Sequence, residues 1–451
     1  MKVAKFGGSS LASATQIKKV ANIVNADPER RIVVVSAPGK RSKDDVKVTD
    51  LLIACAEHYL TFKEAKDELE RIIERFRLIT EELELDSKTL EEITQDLNKR
   101  LYETDTSNRD RFLDVMKSAG EDNCARVVSS YLQKLGVKAR YMNPKEAGLI
   151  VSDEPGNARI LPESYETLAK LRDYEEILVF PGFFGYSKEG EIVTFSRGGS
   201  DITGSIVAAA VKADLYENFT DVDSVYVANP NIIDQPKEIK ELTYREMREL
   251  SYAGFSVFHD EALIPAFRAG IPVCIKNTNN PLAKGTMIVA ERKENNDNPV
   301  VGIASDKGFC SIYVSKYLMN REVGFGRRLL QILEEDGVSY EHLPSGIDDI
   351  SVIMREDQLN EEIEQRVVEH IKQILKVDHI DVQHGLALIM VVGEGMSKTV
   401  GMAHRVTKAL ADAFVNIEMI NQGSSEVSMM FGVKEQDVDR AVQAIYKEFF
   451  N

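Results

Sequence analysis

Several residue types are scarce in this chain, and each scarcity excludes a class of protein. Only four cysteines occur in 451 residues, with no C-x-x-C pair among them, and tryptophan is absent. Disulfide scaffolds and zinc sites space their cysteines closely, so we expect four reduced, buried thiols in a cytoplasmic protein. The chain has no run of about 18 apolar residues that could span a bilayer. It also starts without the apolar core of a signal peptide.

Positive charge is also in short supply. The 56 Lys and Arg residues are outnumbered by 73 Asp and Glu residues, which gives a net charge of -17. So acidic a surface repels nucleic acid and anionic membranes, and neither is expected as a partner. An anionic substrate would therefore need local positive charge. At roughly 150 residues per domain, the length predicts about three domains.

Two short strings supply such local charge. They are KFGGSS at residues 5–10 and SRGGSD at residues 196–201. Each follows an apolar run and precedes a helical pattern, which predicts a strand, a Gly-Gly turn and a helix N-terminus. Glycines let an anion approach the backbone, and the unpaired N–H groups of a helix end point towards it. We therefore predict two anion sites, one with Lys5 and one with Arg197.

Up to about residue 290, strand-like runs alternate with helical patterns, which is typical of βαβ units and a mainly parallel sheet sandwiched by helices. Charged helical sequence at 57–118 interrupts this alternation and predicts a solvated helical lobe. The polar segment 291–299 is typical of a linker. The predicted strands are Lys2–Phe6, Arg31–Ser36, Ala139–Met142, Ile177–Pro181, Leu215–Phe219 and Val273–Lys276. The predicted helices include Ala14–Val24, Asn123–Leu135 and Thr203–Lys212.

After the linker, a βαββα pattern of about 75 residues occurs twice, which indicates duplicated structural units. Strand Val338–His342 belongs to the first copy and strand Leu386–Val392 opens the second. The second copy ends at Asn451 without the last strand that a βαββαβ unit requires. We therefore expect strand Val300–Ala304 to complete it, with the first module inserted into the second. The alternative, a four-segment second module, would leave an open strand edge.

Four strings in this order resemble aspartate kinase: KFGGSS, SRGGSD, TDVDSVY at 220–226 and NQGSSE at 421–426. The resemblance covers nearly the whole chain. It implies an α/β amino-acid-kinase domain over residues 1–292 and two ferredoxin-like ACT modules. The first ACT module would span residues 307–382, and the second would combine 299–306 with 383–451. No G-x-G-x-x-G unit of a fused homoserine dehydrogenase is present, so the enzyme is expected to be monofunctional.

This resemblance implies a reaction: ATP-dependent phosphorylation of the β-carboxylate of L-aspartate to 4-phospho-L-aspartate, the first step of lysine, threonine and methionine biosynthesis. A carboxylate with a pKa near 3.9 is already ionised at neutral pH, so no general base is needed. Catalysis should depend on in-line positioning and charge neutralisation, with Mg²⁺ bridging phosphates. Lys5 would contact the transferring phosphoryl group, supported by the amides of Gly7 and Gly8. Asp201 would orient Lys5, or would only stabilise a helix dipole.

The resemblance also assigns the substrate contacts. Arg197 would clamp the α-carboxylate of aspartate and Glu121 would receive its ammonium group. Thr49 would donate to a carboxylate or would only cap its helix. The further substrate contacts are Phe183 and Ser200. The implied ATP contacts are Lys5, Ser9, Thr220, Asp221 and Tyr226, beside the strand-end motif Lys276-Asn277-Thr278. No metal site made of protein side chains is predicted.

Two family motifs depart from their usual form. Asn231 stands where the family carries an arginine, and Ser256 stands where it carries a lysine. Either the affinity for the nucleotide is lower or another cation substitutes for these two. The candidates are Lys40, Arg41, Lys43, Arg245, Arg248 and Lys284.

Paired ACT modules bind free amino acids at a shared edge, so the resemblance implies feedback control and a homodimer, with dimer against tetramer left open. The candidate effector residues are Met319, Ser339, Tyr340 and Glu341. Glu341 stands where lysine-inhibited members carry an acid, which favours lysine over threonine. Two other functions stay open from the sequence: a kinase of the same fold that acts on another acceptor, and a non-catalytic amino-acid sensor.

Overall fold

The structure of this chain, a computed structural model, describes residues 1–255, 261–292, 299–423 and 427–451. These residues group into two structural units. The first contains the described parts of 1–225, 238–248 and 256–292, and the second those of 226–237, 249–255 and 293–451. The predicted linker 291–299 lies mostly outside the described residues, as do Ser256 and the end of the NQGSSE string.

The strands up to residue 292 largely follow the predicted ones. They are β1 (Lys2–Phe6), β2 (Arg30–Val35), β3 (Ala139–Tyr141), β4 (Ile177–Pro181), β5 (Phe184–Tyr186), β6 (Ile192–Thr194), β7 (Leu215–Thr220), β8 (Val225–Tyr226), β9 (Glu238–Ile239), β10 (Glu241–Thr243), β11 (Val273–Asn277) and β12 (Thr286–Val289). Among the described residues, the large sheet has the order β10-β12-β11-β7-β1-β2-β4-β3. Each neighbouring pair is parallel except β11 with β12. The mainly parallel sheet is thus confirmed.

Helices connect these strands and pack on the sheet. They are α1 (Ala14–Asn25), α2 (Val48–Phe62), α3 (Lys66–Glu82), α4 (Ser87–Glu103), α5 (Arg109–Lys134), α6 (Pro144–Ala147), α7 (Glu163–Leu168), α8 (Gly199–Ala210), α9 (Tyr244–Tyr252) and α10 (Ile264–Ala269). The predicted helical lobe is only half solvated. Ile72 and Phe76 of α3 and Leu97 of α4 are fully buried in the same core as Val33 of β2. Amphipathic periodicity, not charge, decides where these helices lie.

Helix α5 is longer than the predicted Asn123–Leu135. It starts after Asn108, whose side chain accepts from the N–H of Arg111, and it continues through Gly120. A Cβ at Gly120 would lie 2.7 Å from Cβ of Ala37. Gly120 is therefore needed for close packing of the helix on the sheet, and Glu121 lies on the same long helix.

The second unit contains an antiparallel sheet. Its strands are β13 (Gly302–Ser315), β14 (Asp349–Arg355), β15 (His379–Val392), β16 (Met419–Asn421) and β17 (Ser428–Lys434), and its helices are α11 (Phe325–Glu335), α12 (Glu361–His370), α13 (Met402–Asp412) and α14 (Val438–Phe450). The order of the strands is β14-β13-β15-β17-β16. β13 and β15 are long, and each runs through both repeats. Gly302–Lys307 pairs with Ala387–Val392, while Phe309–Ser315 pairs with β14.

The predicted strand Val338–His342 is wrong in extent. Only His342 forms an isolated bridge, with Ile353. The N–H of Val338 donates to Leu333 at the end of α11, and the N–H of Ser339 donates to Gln358. Because these donors are already bonded, they are not available to a strand ladder.

The state of the four cysteines agrees with the prediction from the composition. All four cysteines are free and buried, and burial raises the pKa of Cys274 to about 11. They are therefore buried apolar groups, as predicted, and not reactive thiolates. Within the described residues, no helix is both long enough and apolar enough to cross a membrane.

One buried carboxylate ties α5 to the strand that precedes the SRGGSD string. Asp114 is fully buried. It accepts hydrogen bonds of 2.8 Å from the N–H and the hydroxyl of Thr194 and from the N–H of Gly156. Lys117 Nζ lies 2.7 Å away. These bonds fix β6 against α5, and the SRGGSD string follows directly from β6.

Replacing Asp114 by alanine should destabilise the first unit. Two buried donors of Thr194 and the half-buried N–H of Gly156 would lose their acceptor, which should lower the free energy of unfolding by about 3 kcal/mol. Urea unfolding followed by circular dichroism measures this change. Asp110→Ala, an exposed acid on the same helix, is the matched control and should change the free energy by less than about 0.5 kcal/mol. Equal stability of the two variants would contradict the assignment.

Candidate active site

Lys5 and Asp201 form the centre of the candidate site. Lys5 lies near the end of β1 with its side chain 8% exposed, and its Nζ is 2.6 Å from Oδ1 of Asp201. Asp201 sits in the first turn of α8, after Gly198 in the left-handed region at a φ of 75°. The carboxylate also accepts from Asn218 of β7. Asp201 therefore holds the Lys5 ammonium between β1 and the start of α8.

The KFGGSS string forms a tight turn after β1. Gly8 opens a short 3-10 helix, Gly8–Leu11, whose first N–H groups have no partner within the helix. The N–H of Gly7, however, donates to the carbonyl of Phe219. The geometry therefore corrects the prediction for Gly7: its amide holds the strand end and does not point at a ligand.

Glu121 is a buried carboxylate close to this centre. It is 5% exposed and accepts from the N–H of Ala37. Burial raises its pKa to about 8, and the nearby charge of Lys5 opposes this rise. Its Oε2 atom has no hydrogen-bond partner in the part of the chain that the structure describes. A buried carboxylate with an unused oxygen suits a cationic ligand.

The segment around Phe183 packs on the SRGGSD string. Phe183 has a φ of 77°, a conformation that a bulky residue adopts only when its surroundings impose it. Its N–H donates to Thr203 and its carbonyl accepts from Phe195. A Cβ at Gly199 would lie 2.5 Å from the Phe183 ring. Arg197 is exposed, so its guanidinium can reach a ligand from solvent.

Ser200 and Thr49 occupy two different helix starts. Ser200 is buried in the first turn of α8, and a Cβ at Gly182 would lie 2.7 Å from its Cβ. Thr49 is the second residue of α2, whose N-cap is Lys47. The reading of Thr49 as an N-cap is therefore wrong, and its half-buried hydroxyl does not serve that role.

The predicted nucleotide residues of the first unit meet where β7 and β11 end. Thr220 pairs with Asn277. The Asn277 amide donates to Asp223 at 2.7 Å and to the carbonyl of Asp221 at 3.3 Å. Thr278 exchanges a 2.7 Å hydrogen bond with Ser10 of the KFGGSS string. The structure thus joins this string to the predicted nucleotide contacts at the carboxyl edge of the parallel strands, where α/β proteins bind ligands.

The candidate substitute cations differ in their surroundings. Arg41 is paired with Asp45 at 2.9 Å. The other candidates, Lys40, Lys43, Arg245, Arg248 and Lys284, have exposed side chains. Tyr226 and Asn231 belong to the second unit.

The candidate effector residues lie in the second unit, where the structure gives them different neighbours. Met319 is buried in the same core as Ile312 and Val352. Ser339 bonds to Gln358, and Tyr340 is 47% exposed. Glu341 accepts from the Tyr252 hydroxyl, and its other oxygen is 3.8 Å from Arg355. Glu341 is therefore already paired in this conformation.

Comparison with known proteins decides the family. A model of the amino acid kinase family matches residues 1–277, and an ACT domain model matches residues 389–449. The chain is 62% identical over 450 residues to aspartokinase 3 of Bacillus subtilis, covering 100% of this chain and 99% of that relative. The chain belongs to the aspartokinase family.

Solved structures agree with this assignment. The aspartate kinase of Clostridium acetobutylicum, described as an allosteric enzyme, matches with a TM-score of 0.88 at 39% identity, with both chains covered in full. Aspartokinase III of E. coli, in complex with lysine and aspartate, has the same fold, with a TM-score of 0.80 at 24% identity and full coverage of both chains. The activity is ATP-dependent phosphorylation of L-aspartate under allosteric feedback regulation, as the motifs predicted.

Sequence reasoning missed three residues that build this site. Asn218 bonds to Asp201, the backbone of Ala37 donates to Glu121, and Gly39 packs against Gly8. The Ala37-Pro38-Gly39 sequence after β2 carries a turn signal that could have indicated Gly39. No turn or motif marks Asn218 in the sequence, because it lies inside a strand.

The raised pKa of Glu121 predicts a pH dependence for aspartate binding. Below about pH 8 the free enzyme holds this carboxyl neutral, so pairing it with an ammonium requires loss of a proton. The affinity for aspartate should therefore rise with pH, about tenfold per unit below pH 8, and then level off. Calorimetric titrations at several pH values, in buffers of different ionisation enthalpy, measure both the affinity and the released proton.

The matched variant is Glu121→Gln, which keeps the shape and cannot titrate. It should bind aspartate weakly at every pH, without proton release. A wild-type affinity that is constant below pH 8 would contradict the role of Glu121.

Proposed function

We propose that phosphoryl transfer takes place beside Lys5, where β1 ends and α8 begins. The supporting observation is the 2.6 Å ion pair between the buried Lys5 ammonium and Asp201. A β-carboxylate oxygen of aspartate attacks the γ-phosphorus of ATP, a new O–P bond forms, and ADP leaves with the electrons of the broken bond. Two anions must meet for this step. Lys5 neutralises part of their charge in the transition state, where such help counts most.

Lys5 alone does not position the amino acid. In our proposal, Glu121 receives the α-ammonium group, and Arg197 clamps the α-carboxylate through its planar fork. Thr49 donates to a carboxylate, and Phe183 with Ser200 forms a wall of the pocket. The unpaired oxygen of Glu121 and the exposure of Arg197 support these roles. Three fixed contacts orient the β-carboxylate towards the phosphate.

For the nucleotide, we propose contacts from Ser9, Thr220, Asp221 and Tyr226. The first N–H groups of the Gly8–Leu11 turn supply amide donors for phosphate oxygens. Mg²⁺ would reduce the charge between the phosphates and the attacking carboxylate. Within the described residues, no cluster of three His, Cys, Asp or Glu side chains could hold a metal. In our proposal, a magnesium ion would be bound mainly by phosphate oxygens and water.

Regulation is proposed to act through the ACT modules. We assign residues 307–382 to the first module and residues 299–306 with 383–451 to the second. The pairing of Gly302–Lys307 with Ala387–Val392 supports this division. Lysine is the proposed effector, with its side-chain ammonium on Glu341, near Met319, Ser339 and Tyr340. A homodimer formed through these modules and a cytoplasmic location complete the proposal.

Replacing Lys5 by methionine tests the catalytic proposal. The variant keeps the length of the side chain and removes its charge, so kcat should fall about 100-fold or more with little change in the KM for aspartate. A coupled assay of ADP release measures both constants. Lys2→Met on the same strand, whose ammonium pairs with Asp27 at 2.7 Å, should keep wild-type kcat. Unchanged kcat in Lys5→Met would refute the assignment.

Replacing Glu341 by alanine tests the effector proposal. Loss of a charge-assisted hydrogen bond should weaken lysine binding about tenfold or more, while uninhibited kcat stays near wild type. Calorimetric titration of lysine measures the affinity. Glu335→Ala, an exposed acid at the end of α11, is the control. If wild type does not bind lysine, or if the variant binds it equally well, the effector is not lysine on Glu341.

A further inference from the structure

Arg75 is one of two buried arginines in the charged helical segment of the first unit, the other being Arg100. Arg75 of α3 is only 4% exposed. One guanidinium nitrogen, Nη2, donates to the carbonyl of Gly39 at 2.6 Å and to the carbonyl of Ala12 at 3.4 Å. The other, Nη1, lies 2.6 Å from Asp45 Oδ2. An arginine so deeply buried needs such partners, because it cannot lose its charge.

Two of these partners flank the KFGGSS turn. The N–H of Gly39 donates to the carbonyl of Gly8 at 2.8 Å. A Cβ at Gly39 would lie 2.6 Å from the carbonyl carbon of Gly8, so the two backbones are in direct contact. Ala12 follows the 3-10 helix that Gly8 opens. Arg75 therefore bonds to Ala12, which follows the turn in the chain, and to Gly39, which packs against Gly8 of the turn.

Asp45 fixes the orientation of this guanidinium. It lies in the basic segment 40–46 and accepts from the N–H and the side chain of Arg41 as well as from Arg75. These bonds hold the pKa of the Asp45 carboxyl far below its usual value. Arg41 is therefore paired with Asp45. Asp45 in turn holds the Arg75 guanidinium in the orientation in which it bonds to Gly39 and Ala12.

We propose that Arg75 is a positioning residue for phosphoryl transfer. It holds the KFGGSS turn, with Gly8 and the Lys5 strand end, in the geometry that the transition state requires. This inference rests on the proposed role of that turn in phosphate binding. Arg75 touches no substrate, so its removal should act on positioning, where a displacement of about 1 Å can cost about 10²-fold in rate.

The test compares Arg75→Ala with Arg77→Ala in the full-length enzyme. Arg77 lies on the same helix, and its guanidinium pairs with Glu70 and Glu74. For Arg75→Ala, kcat should fall about tenfold to 100-fold, with the KM for aspartate within about twofold of wild type. Guanidinium ion, added well below denaturing concentration, should restore part of the lost kcat. Arg77→Ala should match wild type and should not respond to guanidinium.

A wild-type kcat in folded Arg75→Ala would overturn the proposal. A loss of kcat that guanidinium does not restore would also overturn it. So would an equal effect on the KM for aspartate and the KM for ATP. Asp45→Asn provides a second variant if Arg75→Ala does not fold. Asp45→Asn keeps the shape of the side chain and removes the charge that pairs with Arg75, so it should lower kcat less than Arg75→Ala does. In that case, a wild-type kcat in Asp45→Asn would overturn the proposal. Lys5→Met is run in parallel: if it loses activity while the Arg75 and Asp45 variants keep it, only the positioning role fails. If all variants keep activity, the proposed role of the turn fails as well.

Discussion

The ion pair between Lys5 and Asp201 is the contact on which the arrangement of the first unit depends. It joins the end of the central strand β1 to the first turn of α8, and Asn218 of the neighbouring strand binds the same carboxylate. A lysine and an aspartate that are both largely removed from water are costly unless each finds a partner. Together they leave one ammonium group held at a defined position, next to the KFGGSS turn.

Electrostatics explains how so acidic a protein can bind two anionic substrates. The net charge of -17 repels both aspartate and ATP at a distance, so the attraction must be local. In the proposed site it comes from a buried ammonium, an exposed guanidinium at residue 197 and the N–H groups of helix starts. Glu121 adds a buried acid close to Lys5. A neutral carboxyl at this position avoids a buried, unpaired charge.

Much of this architecture could be predicted from the sequence, because it depends on local patterns. Apolar runs gave the strands of the parallel sheet, and the glycine pairs gave the turns at residues 7–8 and 198–199. Long-range packing could not be predicted. The close approach of Gly120 to Ala37 joins residues that are far apart in the sequence. The strand expected at 338–342 does not form there, because the N–H groups of Val338 and Ser339 donate to Leu333 and Gln358 instead. Arg75 looked like one more surface charge among many.

The shared strands of the regulatory unit have a mechanical consequence. β13 and β15 run through both copies of the βαββα pattern and pair with each other along most of their length, with shifts of register around Phe309, between the two copies. Two paired strands, and not one linker, therefore connect the copies. A rotation of one copy against the other has to bend this ladder at its irregular point. A small molecule that binds in one copy acts on backbone that continues into the other.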